Sequence, residues 1–514
     1  MVKGRGFLRG CVGVVMSFTL VMGVAVTVMA QNSRLFLPYV TYETGSCAKA
    51  VAIGDVNNDG MNDIVLTTGY GNDPANDYKL NVFLQNALGG LDRPYKYPLD
   101  TYRAESLDIG DLNNDGRNDV VVSAPNAVGV FLQNIGGTLD PMVLYASAHT
   151  SGTNSYRVRV GDFNNDGRDD VVSIDWGTQS WDVDVFLQNE TGTLDSPVVY
   201  VVEHGGYDDL EIGDINDDGL DDIVVMSGQS YAYDNLGILL QNDSGTLDGP
   251  VYYDLGFDQN TNGVAVGDIN GDSRDDIAVT YNLNIAVFLQ NEAETLNPPV
   301  TYPSSGDTKP VEIGDVNMDG RKDVVSAGGP TLEVHLQAAN GTLLSYELYT
   351  IPYETHYPLH ALAIGDINSD GNNDVVLANF GAGLVALYSA LEAPPATDIK
   401  ANGLDSSVFV STQDPVNVTV SVEPGSEAGV QYEAWIFACT PYGYFWFTQA
   451  HTWVRSNTPT RTGVYALFEL PETSVLNQSL PPGSYVFFFV LDSVPNGTLD
   501  DISLRDYVTV VVSF

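Results

Sequence analysis

Short apolar runs broken by polar turns recur along the chain, and none shows the 3.6-residue spacing of an amphipathic helix. The runs follow a fixed order. One such as Ala50–Ile53 or Val264–Val266 leads into an acidic stretch, and one such as Ile64–Leu66 or Val120–Val122 follows it at once. A third carries a repeated phrase, Val-Phe-Leu-Gln-Asn or a near variant, at Val82–Asn86, Val130–Asn134, Val185–Asn189, Ile238–Asn242 and Val287–Asn291. A Gly-Thr-Leu turn comes next, as at Gly137–Leu139 and Gly192–Leu194, and then a proline and a fourth run such as Pro197–Tyr200 or Pro299–Tyr302. The pattern predicts units of four β-strands.

The acidic stretch sets the period. It reads Asp, any residue, Asn, any, Asp, Gly, any, any, Asp, and it occurs seven times, with Ser273 in place of glycine in the fifth copy. Its fixed positions are Asp55, Asn57, Asp59 and Asp63; Asp111, Asn113, Asp115 and Asp119; Asp162, Asn164, Asp166 and Asp170; and Asp214, Asn216, Asp218 and Asp222. The last three copies supply Asp268, Asn270, Asp272 and Asp276; Asp315, Asn317, Asp319 and Asp323; and Asp366, Asn368, Asp370 and Asp374. An apolar residue and a glycine precede each copy. Successive first aspartates are 56, 51, 52, 54, 47 and 51 residues apart, the size of a four-stranded propeller blade.

The array is uneven at its ends. The seventh loop is followed by Val375–Leu377 and Leu384–Tyr388 but by no Gln-Asn phrase and no fourth strand, whereas Pro38–Tyr42 matches the fourth-strand phrase Pro298–Tyr302 with no unit before it. Ring closure accounts for both, with residues 35–42 supplying the outer strand of the seventh blade and pairing otherwise open edges. The repeat ends at 390, and residues 391–397 read as a linker. Residues 398–514 hold further strand candidates at Val416–Val422, Tyr432–Ala438, Tyr465–Leu470, Ser484–Leu491 and Tyr507–Ser513. The expected fold is all-β: a seven-bladed β-propeller over 31–390, then a small β-sandwich domain.

Charge narrows the partners. Among 514 residues, 67 are acidic and 21 basic, which argues against nucleic acid or an anionic membrane surface and favours cations. Residues 1–30 read as a signal peptide: Lys3, Arg5 and Arg9 precede an apolar run from Cys11 to Met29, and Ala30 offers a small residue at the cleavage position. A retained anchor is the alternative reading. Cleavage before Gln31 would take the net charge from −46 to about −49. No later apolar run reaches ~18 residues, so no span is expected after cleavage, and the protein is expected to be secreted or held at the cell surface. Cys11, Cys47 and Cys439 do not make a disulfide scaffold.

The loop chemistry is that of a hard dication, which needs six to eight oxygens at about 2.3–2.6 Å. Side chains at positions 1, 3, 5 and 9 can supply carboxylate and carbonyl oxygens, glycine at position 6 permits the turn, and position 7 would offer a backbone carbonyl, so its side chain varies (Met61, Arg117, Leu220). An EF-hand is excluded, because position 12 holds Leu66, Val122, Ser173, Val225, Val279, Ser326 and Leu377 where that loop needs Glu. The competing reading is a set of plain Asx turns, which does not explain why three acids recur together. These loops and their flanking strands resemble FG-GAP/VCBS repeats, the blade unit of the integrin α-subunit propeller and of bacterial secreted propellers, over about residues 35–390. The resemblance implies a seven-bladed propeller with Ca²⁺ in the loops, about seven ions in all, and leaves the ligand open.

Other candidates are weaker. His149, His204, His335, His356, His360 and His451 are scattered; His356 and His360 sit four apart in a Pro- and Tyr-containing stretch that reads as an exposed loop. No nucleophile elbow, Walker loop or zincin motif occurs, and no catalytic residue is assigned. Alternation over Tyr442–Phe447 puts Phe445 and Phe447 on one strand face and Tyr444 and Trp446 on the other, as core and domain contact or as a platform for sugars. Asp175–Trp181 and Ser230–Asn235 are aromatic loops that could line a ligand face, and Asp492–Asp500 faintly suggests another acidic turn. The expected function is a monomeric, exported, calcium-binding module for a glycan or extracellular protein, with a propeller-scaffold polysaccharide lyase or hydrolase as the alternative.

Overall fold

The structure, a computed structural model, describes residues 35–514 except 72, 87–88, 101–103, 149–153, 177–180, 203–206, 228–235, 254–260, 307, 355–356, 392–395, 405–406, 424, 426–429, 468–469, 493–498, 500–501 and 514. The expected signal peptide at 1–30 and the aromatic loop Ser230–Asn235 lie outside these residues, as do most of Asp492–Asp500 and residues 177–180 of the loop at Asp175–Trp181. Every named element is a β-strand, and no helix among the described residues is long and apolar enough to cross a membrane.

Each acidic loop closes a hairpin. In the first unit Ala48–Gly54 pairs antiparallel with Asp63–Thr68, which pairs with Lys79–Phe83, which pairs with Tyr95–Pro98. The same four-strand order recurs in the next four units. The sixth sheet has three strands, because one long strand, Asp323–His335, pairs first with Val311–Gly314 and then with Glu347–Glu354. Gly329, at φ +56°, stands where the second pairing begins. In the seventh sheet Val40–Tyr42 adds to Gly383–Leu387, with Val40 opposite Ala386 and Tyr42 opposite Leu384. Phe36 bridges Ser389, and the Tyr42 and Tyr388 hydroxyls meet at 2.8 Å, so the start of the array is tied to its end.

The glycine before each loop has a steric reason. A Cβ on Gly54 would meet Ile109; on Gly110, Val160; on Gly161, Ile212; on Gly213, Val266; on Gly267, Ile313; on Gly314, Ile364; and on Gly365, Ile53. Every one of these approaches would be 3.3 Å or closer, so each first strand packs its neighbour too tightly for a side chain, and the series returns to the sheet on which it began. The second and third strands are buried almost throughout, as in Asp119–Ala124 and Ala127–Phe131, while the fourth strands are largely exposed.

After residue 395 the chain builds two more sheets. Ala396–Ala401, Pro415–Glu423 and Leu470–Ser479 form one; its first strand begins two residues before the expected domain boundary. The other is seven-stranded, centred on Gln431–Thr440, Gly483–Asp492 and Ile502–Ser513, with Val408–Ser411 parallel at its edge. A shared apolar cluster joins Ile399, Val416, Val418 and Val420 of the first to Tyr432, Phe487, Phe489 and Val510 of the second. The strand expected over Tyr465–Leu470 is instead two. Gly463–Ala466 pairs with Gln431–Thr440 and Leu470–Ser479 with Pro415–Glu423, so the chain changes sheets around the buried Leu467. Cys439 is a free thiol, and the Cys47 thiol donates to the Tyr70 carbonyl at 3.2 Å.

Candidate functional site

The seven loops share one geometry. The position-1 carboxylate accepts a hydrogen bond from the position-6 amide at 2.7–2.9 Å in every copy, from Gly60 N to Asp55 through Gly371 N to Asp366. The position-5 carboxylate accepts from the position-7 amide at 2.8–3.1 Å. This is an Asx-type turn, reinforced twice. The turn needs positive φ at positions 4 and 6. Copy five inverts the usual residues, with Gly271 at φ +80° and Ser273 at φ +71°. A Cβ at position 6 would meet nothing within 4 Å in copies such as Gly60 and Gly116, so the cost at Ser273 is one of backbone conformation alone. Ser273→Gly is expected to stabilise the protein by about 1 kcal/mol, read as a higher unfolding midpoint in denaturant.

The position-9 aspartates do something the sequence did not announce. Asp63, Asp119, Asp170, Asp222, Asp276, Asp323 and Asp374 are fully buried. One oxygen of each accepts from the position-2 amide, as Val56 N does to Asp63 at 3.2 Å. The other accepts from the amide of the glutamine in the third-strand phrase: Gln85, Gln133, Gln188, Gln241, Gln290 and Gln337, with Ser389 serving the seventh sheet. The two phrases that repeat in the sequence are thus opposite ends of one hydrogen bond. Burial raises all seven carboxyls to about 7, against two backbone hydrogen bonds that lower them; the acids at positions 1 and 5 push them further up.

Loops of adjacent sheets are stitched at position 8. Asn62, Asn118 and Asn373 donate to the backbone carbonyls of Asp366, Asp55 and Asp315, while Asp169, Asp221 and Asp275 accept from the amides of Asp111, Asp162 and Asp214.

Whether such a loop suits a cation turns on what remains unsatisfied. The side-chain carbonyls of Asn57, Asn113 and Asn164 at position 3 are buried without a donor, and an acceptor so placed is costly unless something positive meets it. Among the described residues no three His, Cys, Asp or Glu side chains close on one point as a cage, and the loop carboxylates are spread over backbone amides. Position 7 divides the loops. Arg117, Arg168, Arg274 and Arg321 fold back onto the position-5 carboxylates of Asp115, Asp166, Asp272 and Asp319. Met61, Leu220 and Asn372 leave Asp59, Asp218 and Asp370 without that counter-charge.

A second cluster lies where the first strands converge. Residues two before each glycine form a column: Ala52, Asp108, Arg159, Glu211, Ala265, Glu312 and Ala363. All but Ala265 line a cavity of about 350 Å³, together with His360. His360 is buried, not in an exposed loop as its neighbourhood suggested. Its Nε2 lies 2.7 Å from Asp209 Oδ1, and its Nδ1 lies 2.7 Å from both Ser106 Oγ and an Arg159 nitrogen. Burial, then Arg159 and Arg157, holds its pKa well below the usual histidine value, so the ring is neutral. Arg159 nitrogens lie within hydrogen-bond distance of both ring nitrogens, 2.7 Å from Nδ1 and 3.1 Å from Nε2.

The Ser106–His360–Asp209 chain has the members of a hydrolytic triad. However, Ser106 is fully buried, takes a hydrogen bond from Val158 N at 3.1 Å, and does not line the cavity. It works as a buckle between three units of the repeat. Reading the repeats in columns would have exposed this cluster, since charged residues fill a strand position that is alanine in the other units.

In the C-terminal region Phe447 enters the shared core and Trp446 the opposite face, as alternation predicts. Trp446 is itself buried, stacked on Phe437 at 4.8 Å, which stacks on Phe488 at 4.7 Å.

The family model described as FG-GAP-like repeat matches residues 55–122, 111–173, 162–225, 214–279, 268–326 and 315–377. No curated protein sequence matches the chain. Solved structures with a similar fold include an Agrocybe aegerita lectin recognising non-reducing terminal N-acetylglucosamine (17% identity, TM-score 0.45, 59% of this chain and 80% of that one). BBS1N in complex with ARL6DN has 13% identity, TM-score 0.47, and coverage of 68% and 96%. Rhamnogalacturonan lyase YesW has 11% identity, TM-score 0.40, and coverage of 69% and 74%. At these scores none of them bears on what this chain binds.

Proposed function

The chain belongs to the FG-GAP-like repeat family, and from that premise we propose an exported, Ca²⁺-stabilised, seven-bladed propeller with an appended β-sandwich, acting as a binding or adhesion module for a glycan or an extracellular protein. The observation that carries this reading is the single loop geometry built seven times on successive hairpins, with buried, donorless asparagine carbonyls in three of the copies. The glycine contacts that run from sheet to sheet and return to the first support a closed ring. The core common to the last two sheets supports the sandwich, and the acidic surplus with the basic, apolar N-terminal segment supports export.

In each loop the side chains at positions 1, 3, 5 and 9 would hold the ion. A bound cation supplies the charge that three crowded carboxylates lack. Loops one, four and seven, without an arginine at position 7, present the larger uncompensated charge and would fill first. A second reading, a polysaccharide lyase or hydrolase, is favoured by the ionisable cluster on the axis.

Metal analysis of the purified, full-length protein by mass spectrometry is expected to find Ca²⁺ approaching one per loop, or seven. A glycan array should show retention without turnover. No bound Ca²⁺ in millimolar Ca²⁺ overturns the metal reading, and an unsaturated product formed from an acidic polysaccharide replaces the binding module with the lyase.

A further inference from the structure

The axial cavity is asymmetric in charge, and its groups differ in how far they are committed. Asp108 accepts from the amides of Ile109 and Val160, both at 2.9 Å. Glu211 is held in a two-point pair by Arg159, which also reaches His360 and the Val158 carbonyl. One layer further from the loops, Arg157 stands 3.4 Å from Asp209. Glu312 differs: no described residue donates a hydrogen bond to its carboxyl, and it faces a space bordered by Ala52 and Ala363. Burial raises its pKa well above the ordinary value, and Glu211 raises it further.

At this level three acids, Asp108, Glu211 and Glu312, face one cation, Arg159. Lys49 does not redress the balance, because it is engaged by Glu105 at 3.4 Å. All four lining residues keep part of their surface accessible to a sphere the size of water, so the cavity has room at their charged ends.

We propose that this cavity binds a small organic cation, a protonated primary amine on a sugar-sized body, with Glu312 as the partner of the ammonium group. An anion would meet the surplus of acid, whereas an ammonium group would favour the ionised form of Glu312 that burial otherwise suppresses. A bare metal ion is disfavoured by the committed oxygens of Asp108 and Glu211 and by a volume at the lower end of the small-molecule range of about 300–1,000 Å³. The alanines at 52 and 363 leave room for the body of the ligand. The site is independent of the loop cations, and its failure leaves the proposed function untouched.

Calorimetric titration of the full chain in millimolar Ca²⁺ tests the site with glucosamine, N-acetylglucosamine and glucose as probes. Glucosamine is expected to bind, and N-acetylglucosamine, whose nitrogen carries no charge, to bind at least about tenfold more weakly. Glu312→Gln should lose a similar factor for glucosamine and, by removing an unpartnered acid, raise the melting temperature of the unliganded protein. Ala363→Leu should abolish binding by filling the space. Equal affinity for the two amino-sugar probes, no glucosamine binding, unchanged affinity in Glu312→Gln, or a lowered melting temperature in that variant would each overturn the proposal. The last would mark Glu312 as a structural residue.

Discussion

Addition of about 10 mM Ca²⁺ to protein treated with EDTA is expected to raise its melting temperature by roughly 10 °C or more. Extracellular Ca²⁺ modules bind at about 10⁻⁴–10⁻³ M, so each loop that filled with such an affinity would contribute about 1.4–2.7 kcal/mol by mass action. The effect should depend on pH, with a sign fixed by the position-9 aspartates. Their folded pKa of about 7 lies above the ordinary 3.8. The stability that protonation lends the metal-free fold is therefore complete below about 3.8 and lost as pH rises through about 7. A cation in the loop favours the ionised form and opposes that loss. The gap between the EDTA and Ca²⁺ melting curves should accordingly widen from pH 5 to pH 8. Identical curves in EDTA and Ca²⁺ at pH 8 would remove the metal from the account of this fold.

Asp170→Ala is expected to cost about 3–5 kcal/mol in EDTA, and more in Ca²⁺, where the loop also loses an ion-holding oxygen. The substitution strands two buried amides, Phe163 N and Gln188 N, which now end on the two oxygens of Asp170 at 3.1 and 2.7 Å. Asp166→Ala, four residues away, should behave differently. Its carboxylate is partly exposed and accepts from Arg168 N at 3.0 Å, so the metal-free protein should lose about 1 kcal/mol or less. In Ca²⁺ the same variant should lose the stabilisation that its loop draws from the ion. Chemical denaturation of both variants in EDTA and in Ca²⁺ separates the hydrogen-bond role of position 9 from the ligand role of position 5. Equal losses for Asp166→Ala in both buffers would show that position 5 holds no cation.

Much of this molecule is local and therefore legible along the chain. A strand that alternates, a loop with Asp, Asn and Gly at set offsets, and a phrase repeated at the end of the third strand are short-range patterns, and the described strands fall where those patterns lie. The positive φ required at Ser273 follows from its place in the loop. The link between the loop and the Gln phrase did not follow, although both were conspicuous. Asp63 and Gln85 are 22 residues apart, and only the stacking of the second and third strands brings the amide of one to the carboxylate of the other. The chain's change of sheet around Leu467 was hidden for a similar reason, because a continuous β-pattern does not say which partner each half will choose.

The sequence by itself determined the period, the all-β character and the fixed acidic and amide positions of every loop, because each depends on residues within one turn or one strand of each other. The tertiary structure alone decided the cluster between the first strands. Ser106, Asp209 and His360 lie 151 and 254 residues apart along the chain, and His360 meets the other two only because the first strands of all the sheets converge. A charged residue in one strand column is, in sequence, an isolated break in an apolar run. Once the strands are gathered around a common centre, Asp108, Arg159, Glu211 and Glu312 become neighbours in a desolvated space, where their charges must be paired with one another or with something that enters.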